Sequence, residues 1–194
     1  MKKPATFARI KALDPKQQIA FNQMLISRML PNYELYQELT NTGDIKVLHN
    51  IHELLWQWLY TAKLKIDQDI QQEKIEVLIP QAQPDDGIGV YAAIDASMAL
   101  IANLALISDS EFRNKEVTYP SLISQGTIER LLITTAEVEH SQEALAHPHM
   151  KWEIETQNEF LDTIEKIKHF SKATCLELKK QALADGVSNL GLEI

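Results

Sequence analysis

The stretch IGVYAAIDASMALIANLALIS, residues 88–108, is a long apolar run that decides the fold. It is long enough to span a bilayer, but Asp95 lies inside it, and an Asp costs roughly 2.5–3.5 kcal/mol near a bilayer centre. Much of the remainder is Ala, Ser and Asn, and neither a second span nor an aromatic belt accompanies it. We therefore interpret it as a helix over residues 90–107 at the centre of a soluble helical bundle.

The rest of the chain is also predicted to be helical, because Asp caps and early prolines precede runs with helical spacing. These signals predict about seven helices, over residues 15–30, 32–40, 45–62, 68–79, 90–107, 120–140 and 148–184. Pro31 is expected to end the first of them, since proline disrupts a helix interior. Strand signals are scarce, and no linker divides the chain. The sequence predicts a single all-α domain over residues 1–194.

The last helix is expected to be the longest, because Pro148 stands at its start and Gly186 just beyond its end. A continuous helix over this span would be roughly 55 Å long. Steps of four and three predict a heptad seam along it, formed by Phe160, Ile164, Ile167, Ser171, Thr174 and Leu178.

The charge balance limits the classes of partner. The chain has 19 basic and 27 acidic side chains, for a net charge of −8, and such an acidic surface repels nucleic-acid phosphates. Residues 1–30 run against this trend, with six basic side chains and one acidic one. That basic segment is either a solvated helix face or a local patch. We expect no nucleic-acid partner and no membrane association, and the oligomeric state stays open.

The single cysteine, Cys175, cannot form an internal disulfide, which suits a reducing compartment. The first residues lack the apolar stretch of a signal peptide, because Arg9 and Lys11 interrupt it. Together these features predict a cytoplasmic protein.

Three short stretches in a fixed order carry a family resemblance: RMLPNY at residues 28–33, GVYAAIDA at 89–96 and SNLG at 188–191. With the long helix before the last of them, the chain resembles the YjaG-like family of bacterial proteins, a family of unknown function. The resemblance covers almost the whole sequence. It implies a small, cytoplasmic, all-α bacterial protein, and it implies no reaction, ligand or catalytic residue.

Metal and nucleophile chemistry finds little support in the residue pattern. The Glu137-x-x-His140 unit matches half of a di-iron site, but a second such unit is missing. His49 and Glu53 lie one helical turn apart, which is also too few ligands for a metal centre. No nucleophile motif is found, and Cys175 beside the heptad seam is expected to be a buried hydrophobe. We predict no catalytic residue, no cofactor and no bound metal.

Asp95 is the residue most worth locating, because a carboxylate on an apolar helix must be paired, hydrogen-bonded or protonated. We expect it to be a structural acceptor in a buried polar cluster with Arg28, Tyr91 and Tyr33, with Arg28 as its first partner and Arg130 as its second. On this interpretation Asp95→Ala costs about 3–5 kcal/mol of stability by stranding the partner charge. The alternative is that Asp95 lines a cavity as a ligand anchor or general base.

Two functions follow from these patterns. The first is a non-enzymatic interaction or regulatory protein with an unidentified protein partner, which the missing catalytic constellation favours. The second is a small-ligand-binding protein or enzyme with a pocket near Asp95. An exposed apolar surface favours the first, and a deep pocket with convergent polar groups favours the second.

Overall fold

The computed structural model describes residues 5–107 and 116–194 of the chain. The described residues form nine α-helices and no strand beyond one isolated bridge between Val187 and Glu193. The helices are α1 (Thr6–Ala12), α2 (Pro15–Thr40), α3 (Ile45–Tyr60), α4 (Gln68–Glu76), α5 (Ile88–Ala105), α6 (Tyr119–Thr134), α7 (Ser141–Ala144), α8 (Pro148–Ile164) and α9 (Lys172–Ala182). The all-α fold class is thus confirmed, with two more helices in the described residues than the seven predicted.

Helix α2 occupies the centre of the protein, and every residue from 18 to 30 on it is buried. It begins at the predicted cap, where the Asp14 side chain accepts hydrogen bonds from the backbone of Lys16 and Gln17, and the Gln17 side chain accepts one from the Asp14 backbone. At 26 residues it is also the longest described helix, about 39 Å. The prediction that residues 148–184 form the longest helix was wrong, and the helix predicted over residues 90–107 shares the core with α2.

Pro31 does not end this helix, contrary to the prediction, and the two predicted helices over residues 15–30 and 32–40 are one. A helix proline has no N–H to donate to the carbonyl four residues earlier, which here is that of Ser27. The next carbonyl, that of Arg28, accepts the N–H of Asn189 from the C-terminal segment, at 3.1 Å. The helix continues to Asn41, whose left-handed conformation (φ 54°) ends it.

Helix α5 packs against α2 and α6, so it lies beside the centre of the protein. It is the one helix in the described residues that is long and apolar enough to cross a membrane, and half of it is buried inside the protein. That burial against other helices favours the interpretation of α5 as a core helix over that of a membrane span.

The predicted long C-terminal helix is two helices, α8 and α9, separated by residues 165–171. Ser171, assigned to the heptad seam, adopts an extended conformation and caps α9 by accepting the N–H of Thr174. Phe170, just before it, is buried. The break turns α9 back against α2 and α3 instead of extending it into solvent.

The other predicted helix starts hold, with Asp44, Asp67 and Pro148 at or beside the first residues of α3, α4 and α8. Helix α6 ends at Thr134 rather than near residue 140, because Ala136 takes a left-handed conformation with φ 58°. Most of the stretch between the predicted helices over residues 90–107 and 120–140 lies outside the described residues.

Candidate functional site

The four residues of the predicted polar cluster bind different partners. Asp95, partly buried on α5, has its Oδ2 2.8 Å from the Thr127 hydroxyl, which donates to it. Burial raises the pKa of the Asp95 carboxyl, and the Thr127 hydrogen bond and the nearby Arg130 charge act in the opposite direction. Arg28, the expected first partner, is bonded to a different carboxylate.

Arg28 forms a buried ion pair with Glu153 of α8, with 2.5 Å between Nη1 and Oε2. Both side chains are almost fully buried, at 1% and 0% exposure. The Arg28 guanidinium also lies over the Trp152 ring, with its carbon 4.6 Å from the ring centroid. The carboxylate that Arg28 neutralises therefore comes from α8, not from α5.

The pair belongs to a buried hydrogen-bond network between α2, α6, α8 and the C-terminal segment. Glu153 Oε1 accepts from the Ser124 hydroxyl at 2.7 Å and from the Gln157 amide at 2.8 Å. Ser124 in turn accepts from the Asn189 side-chain amide at 3.1 Å. These bonds satisfy the acceptor oxygens of the Glu153 carboxylate, which is costly to bury without such partners. We therefore interpret the network as one that stabilises the fold.

The two tyrosines of the predicted cluster serve different contacts. The Tyr33 hydroxyl donates to the Leu78 carbonyl at 2.8 Å, tying α2 to the residues after α4, and burial raises the pKa of that hydroxyl. The Tyr91 ring lies under the Arg130 guanidinium, 4.6 Å from centroid to carbon. The four predicted residues therefore do not form one hydrogen-bonded cluster, although Asp95 and Tyr91 both lie near Arg130, the second predicted partner.

Two side chains of the basic N-terminal segment are buried in ion pairs inside the protein. Arg9 is 6% exposed and pairs with Asp162 and Glu165 of the α8 region, and hydrogen bonds to these carboxylates raise its pKa. Arg28 is buried in its pair with Glu153. Two of the six basic side chains in residues 1–30 therefore contribute nothing to an exposed basic patch.

The three stretches that carry the family resemblance meet in space. Asn189 of the third stretch binds the first twice: its backbone N–H donates to the Arg28 carbonyl, and its side-chain oxygen accepts from the Asn32 amide at 2.8 Å. Gly89, Val90 and Ala92 of the second stretch line the same cleft as Asn32 and Leu190. Residues far apart in sequence thus build one place on the surface.

This region, called here the α2–α5 cleft, has a volume of about 300 Å³ and opens to solvent. Its walls come from the C-terminal turns of α2, the start of α5, α6 and the C-terminal segment, and its lining is almost entirely carbon. The lining residues are Asn32, Leu35, Tyr36, Leu39, Thr40, Gly87, Ile88, Gly89, Val90, Ala92, Leu131, Leu190 and Leu192. Asp95 is not among them.

A second concave region contains the titratable side chains that the sequence places in HNIHE. His49, His52 and Glu53 line it with Lys179, and Glu53 and Lys179 form an ion pair. Burial lowers the pKa of His52 to about 4, so its ring is neutral near pH 7. A neutral, buried histidine whose Nε2 lies 3.1 Å from the Gln23 carbonyl is a core histidine.

The remaining candidates for metal or nucleophile chemistry are dispersed. Within residues 5–107 and 116–194, no three His, Cys, Asp or Glu side chains come close enough to hold a metal ion. Glu137 pairs with His147 at 3.3 Å rather than with His140. Burial raises the pKa of the Cys175 thiol to about 11, which keeps it protonated and unreactive. The absence of a metal in the protein stays a prediction.

Sequence reasoning missed Glu153, the partner of Arg28. The available signal was its register on α8: Glu153, Gln157 and Phe160 follow one another at i, i+4 and i+7 and share a buried face. Two polar residues in line with a core aromatic predict a buried acceptor that needs a cation.

Comparison with known proteins gives results that agree with this architecture. Residues 5–193 match a family model described as "Protein of unknown function (DUF416)". The chain is 32% identical over 187 residues to an uncharacterised protein of Haemophilus influenzae, covering 95% of both, and 30% identical to the uncharacterised protein YjaG of Escherichia coli, covering 95% and 94%.

A solved structure of a DUF416 family protein from Shewanella baltica shares the fold. It has a TM-score of 0.89 and 32% sequence identity, and the match covers 99% of this chain and 100% of that one. The resemblance of the three short stretches is thereby extended to the whole chain. On these matches, the chain belongs to the DUF416 family of unknown function and is related to the YjaG proteins.

Proposed function

We propose that the protein is a non-enzymatic interaction protein that docks apolar side chains of a partner protein in the α2–α5 cleft. The observation that carries the proposal is the meeting of the three family stretches at a carbon-lined cleft. Cleft walls of this kind exclude water on binding, and each Å² of apolar surface removed from water stabilises a complex.

The chemistry of the lining supports binding over catalysis. Proton transfer or nucleophilic attack needs a titratable side chain within hydrogen-bond reach of the substrate. Among the described residues, the Tyr36 phenol is the one titratable side chain that lines the cleft, and Tyr36 is engaged by the Thr42 hydroxyl at 2.9 Å. Asp95, the anchor of the alternative function, lies outside this cleft.

The setting proposed for this interaction is the cytoplasm, without membrane or nucleic-acid association. The net charge of −8 disfavours binding to anionic lipid surfaces and to phosphates. The half-buried α5 supports the same setting, because its inner face is already covered by α2.

Site-specific photo-cross-linking tests the proposal. A benzophenone amino acid replaces Leu39, a cleft residue that is 75% exposed, and in a control it replaces Leu176, which is 46% exposed on α9. We expect irradiation of cells to give a discrete protein adduct from position 39 and none from position 176. The same adducts from both positions, or none from position 39, would contradict the proposal.

A further inference from the structure

We infer that the occupant of the α2–α5 cleft is an amphipathic helix whose apolar face is flanked by Lys or Arg side chains. This inference rests on the proposed function and adds the chemistry of the partner. The apolar lining of the cleft requires an apolar face on that helix, and the negative charges beside the cleft favour positive charges along the flank of that face.

An acidic shelf adjoins the cleft along α2. The shelf is a shallow concavity of about 310 Å³ that shares Leu35 and Leu192 with the cleft. Glu34 and Glu38, one helical turn apart, stand on its α2 side, and Glu193 stands on its C-terminal side. A partner seated in the cleft therefore has three carboxylates beside it.

These carboxylates are not neutralised within the described part of the chain. Neither Glu34, Glu38 nor Glu193 forms a salt bridge to a described residue, and no described Lys or Arg lines the cleft or the shelf. Glu53 and Glu165, by contrast, are paired with Lys179 and Arg9. Unpaired acids around an apolar groove attract a cationic flank and repel an acidic one.

The dimensions fit a short helix. Residues 31–40 of α2, which border both the cleft and the shelf, extend about 15 Å, the length of a ten-residue helix. Helices that bind grooves anchor through side chains at i, i+3 or i+4, and i+7, which lie within that length. Leu35 and Leu39 on α2 have the matching spacing of one turn.

Peptide binding with matched charges tests the inference. Two fluorescein-labelled helical peptides of equal length carry the same Leu residues at i, i+3, i+4 and i+7 and differ only in flanks of Lys or of Glu. Fluorescence anisotropy measures their affinities for the full chain. We expect saturable one-to-one binding of the Lys peptide, at least about tenfold tighter than of the Glu peptide, and weaker as salt rises.

Four variants locate the binding. Glu34→Lys/Glu38→Lys should weaken the Lys peptide about tenfold and strengthen the Glu peptide, whereas Glu155→Lys/Glu159→Lys, which reverses two acids with the same spacing on α8, should change neither. Leu39→Ser should weaken the Lys peptide about tenfold, and Leu176→Ser should not. Circular dichroism checks that each variant is folded.

Several results overturn the inference. They are equal affinity for the two peptides, no measurable binding of either, and equal losses in the cleft and control variants. If the protein self-associates and Leu39→Ser abolishes this, the occupant of the cleft is a second copy of the chain. If the purified protein releases a small apolar molecule and the Leu39→Ser variant does not, the cleft is a small-molecule site. The cross-link from position 39 judges the proposed function separately, since a captured protein without a basic amphipathic segment refutes the inference alone.

Discussion

The Arg28 guanidinium and the Glu153 carboxylate form a fully buried ion pair that joins the central helix α2 to α8. The carbonyl of the same Arg28 is bound by Asn189, and Asn189 also holds Asn32 at the wall of the cleft. Arg28 thus connects the centre of the core to the C-terminal segment that closes one side of the proposed docking site. Packing at the core and the shape of the cleft are consequently coupled through one residue.

Removal of one member of this pair should be strongly destabilising. In Glu153→Ala the buried Arg28 charge loses the carboxylate that neutralises it, and we expect a loss of about 3–5 kcal/mol of unfolding free energy. For a chain of this length that corresponds to a fall in Tm of roughly 10 °C. Thermal unfolding followed by circular dichroism measures it. Glu155→Ala, two residues away and exposed, is the control and should change stability by less than about 0.5 kcal/mol; equal Tm values for the two variants would refute the assignment.

Local signals in the sequence predicted much of the fold, and long-range partners explain what they did not. Asp14, Asp44 and Asp67 predicted helix starts because an Asp cap acts on the next three residues. Pro31 misled because the proline rule is local, whereas this helix is held by tertiary packing, with every residue from 18 to 30 before Pro31 buried. Such compensation is a tertiary effect that local rules do not contain.

The C-terminal helix and the polar cluster show the same limit. Ser171 fits a heptad position and a helix cap equally well, and only the packing of α9 against α2 and α3 selects the cap. Asp95 and Arg28 stand in two family stretches that do converge, yet the side chains bind different partners, Thr127 and Glu153. Convergence of backbone segments does not determine which side chains meet.

Asp95 is therefore expected to contribute less to the unfolding free energy than it would if it formed an ion pair with Arg28. Its substitution by Ala strands no guanidinium, because Asp95 forms no salt bridge with a described residue. The Thr127 hydroxyl, which donates to Asp95, also lies 2.9 Å from the Ile123 carbonyl and so keeps an acceptor. We expect Asp95→Ala to cost about 1 kcal/mol, the net value of one hydrogen bond, rather than the roughly 3–5 kcal/mol of a broken ion pair. Urea unfolding at pH 7 measures the difference, and a loss above about 3 kcal/mol would restore a paired role for this carboxylate.

The pH dependence of the same site gives an independent check. Burial raises the pKa of Asp95 in the folded state, so its charged form destabilises the fold above that pKa, and the penalty disappears as the pH falls below the unfolded pKa near 4. Asp95→Asn, which keeps the acceptor for Thr127, should thus gain stability relative to the native chain as pH rises from about 4 to 7. A difference between the two proteins that does not vary with pH would contradict the raised pKa.

His52 should make the protein sensitive to mild acid. Its pKa is about 4 in the folded chain and 6.5 in an unfolded chain, so the unfolded state takes up the proton first. The unfolding free energy therefore carries no penalty from His52 above pH 6.5, and it decreases as the pH falls toward 4. Since each pKa difference of one corresponds to about 1.4 kcal/mol, the loss is about 3 kcal/mol.

The measurement is the unfolding free energy from about pH 7 to pH 4, together with the NMR titration of the His52 ring. His169→Gln, at an exposed position between α8 and α9, should leave the pH dependence unchanged, whereas His52→Gln should reduce it. A His52 ring that titrates near pH 6.5 in the folded protein would show that the side chain is solvated.

Two glycines are expected to respond in opposite directions to alanine. Gly43 has φ 91° in the turn before α3, and a Cβ there would overlap the Tyr33 hydroxyl, which is held against the Leu78 carbonyl. Both the backbone strain and the displaced Tyr33 oppose Gly43→Ala, which should cost about 1–3 kcal/mol.

Gly126 lies inside α6, with no atom of the described residues within 4 Å of the place that an alanine Cβ would occupy, so Gly126→Ala should gain up to about 1 kcal/mol from helix propensity. Thermal unfolding of the two variants side by side measures both signs. Stabilisation by Gly43→Ala would mean that the turn does not hold Tyr33 in the position described, and a loss at Gly126 would mean that another chain or segment packs against that face of α6.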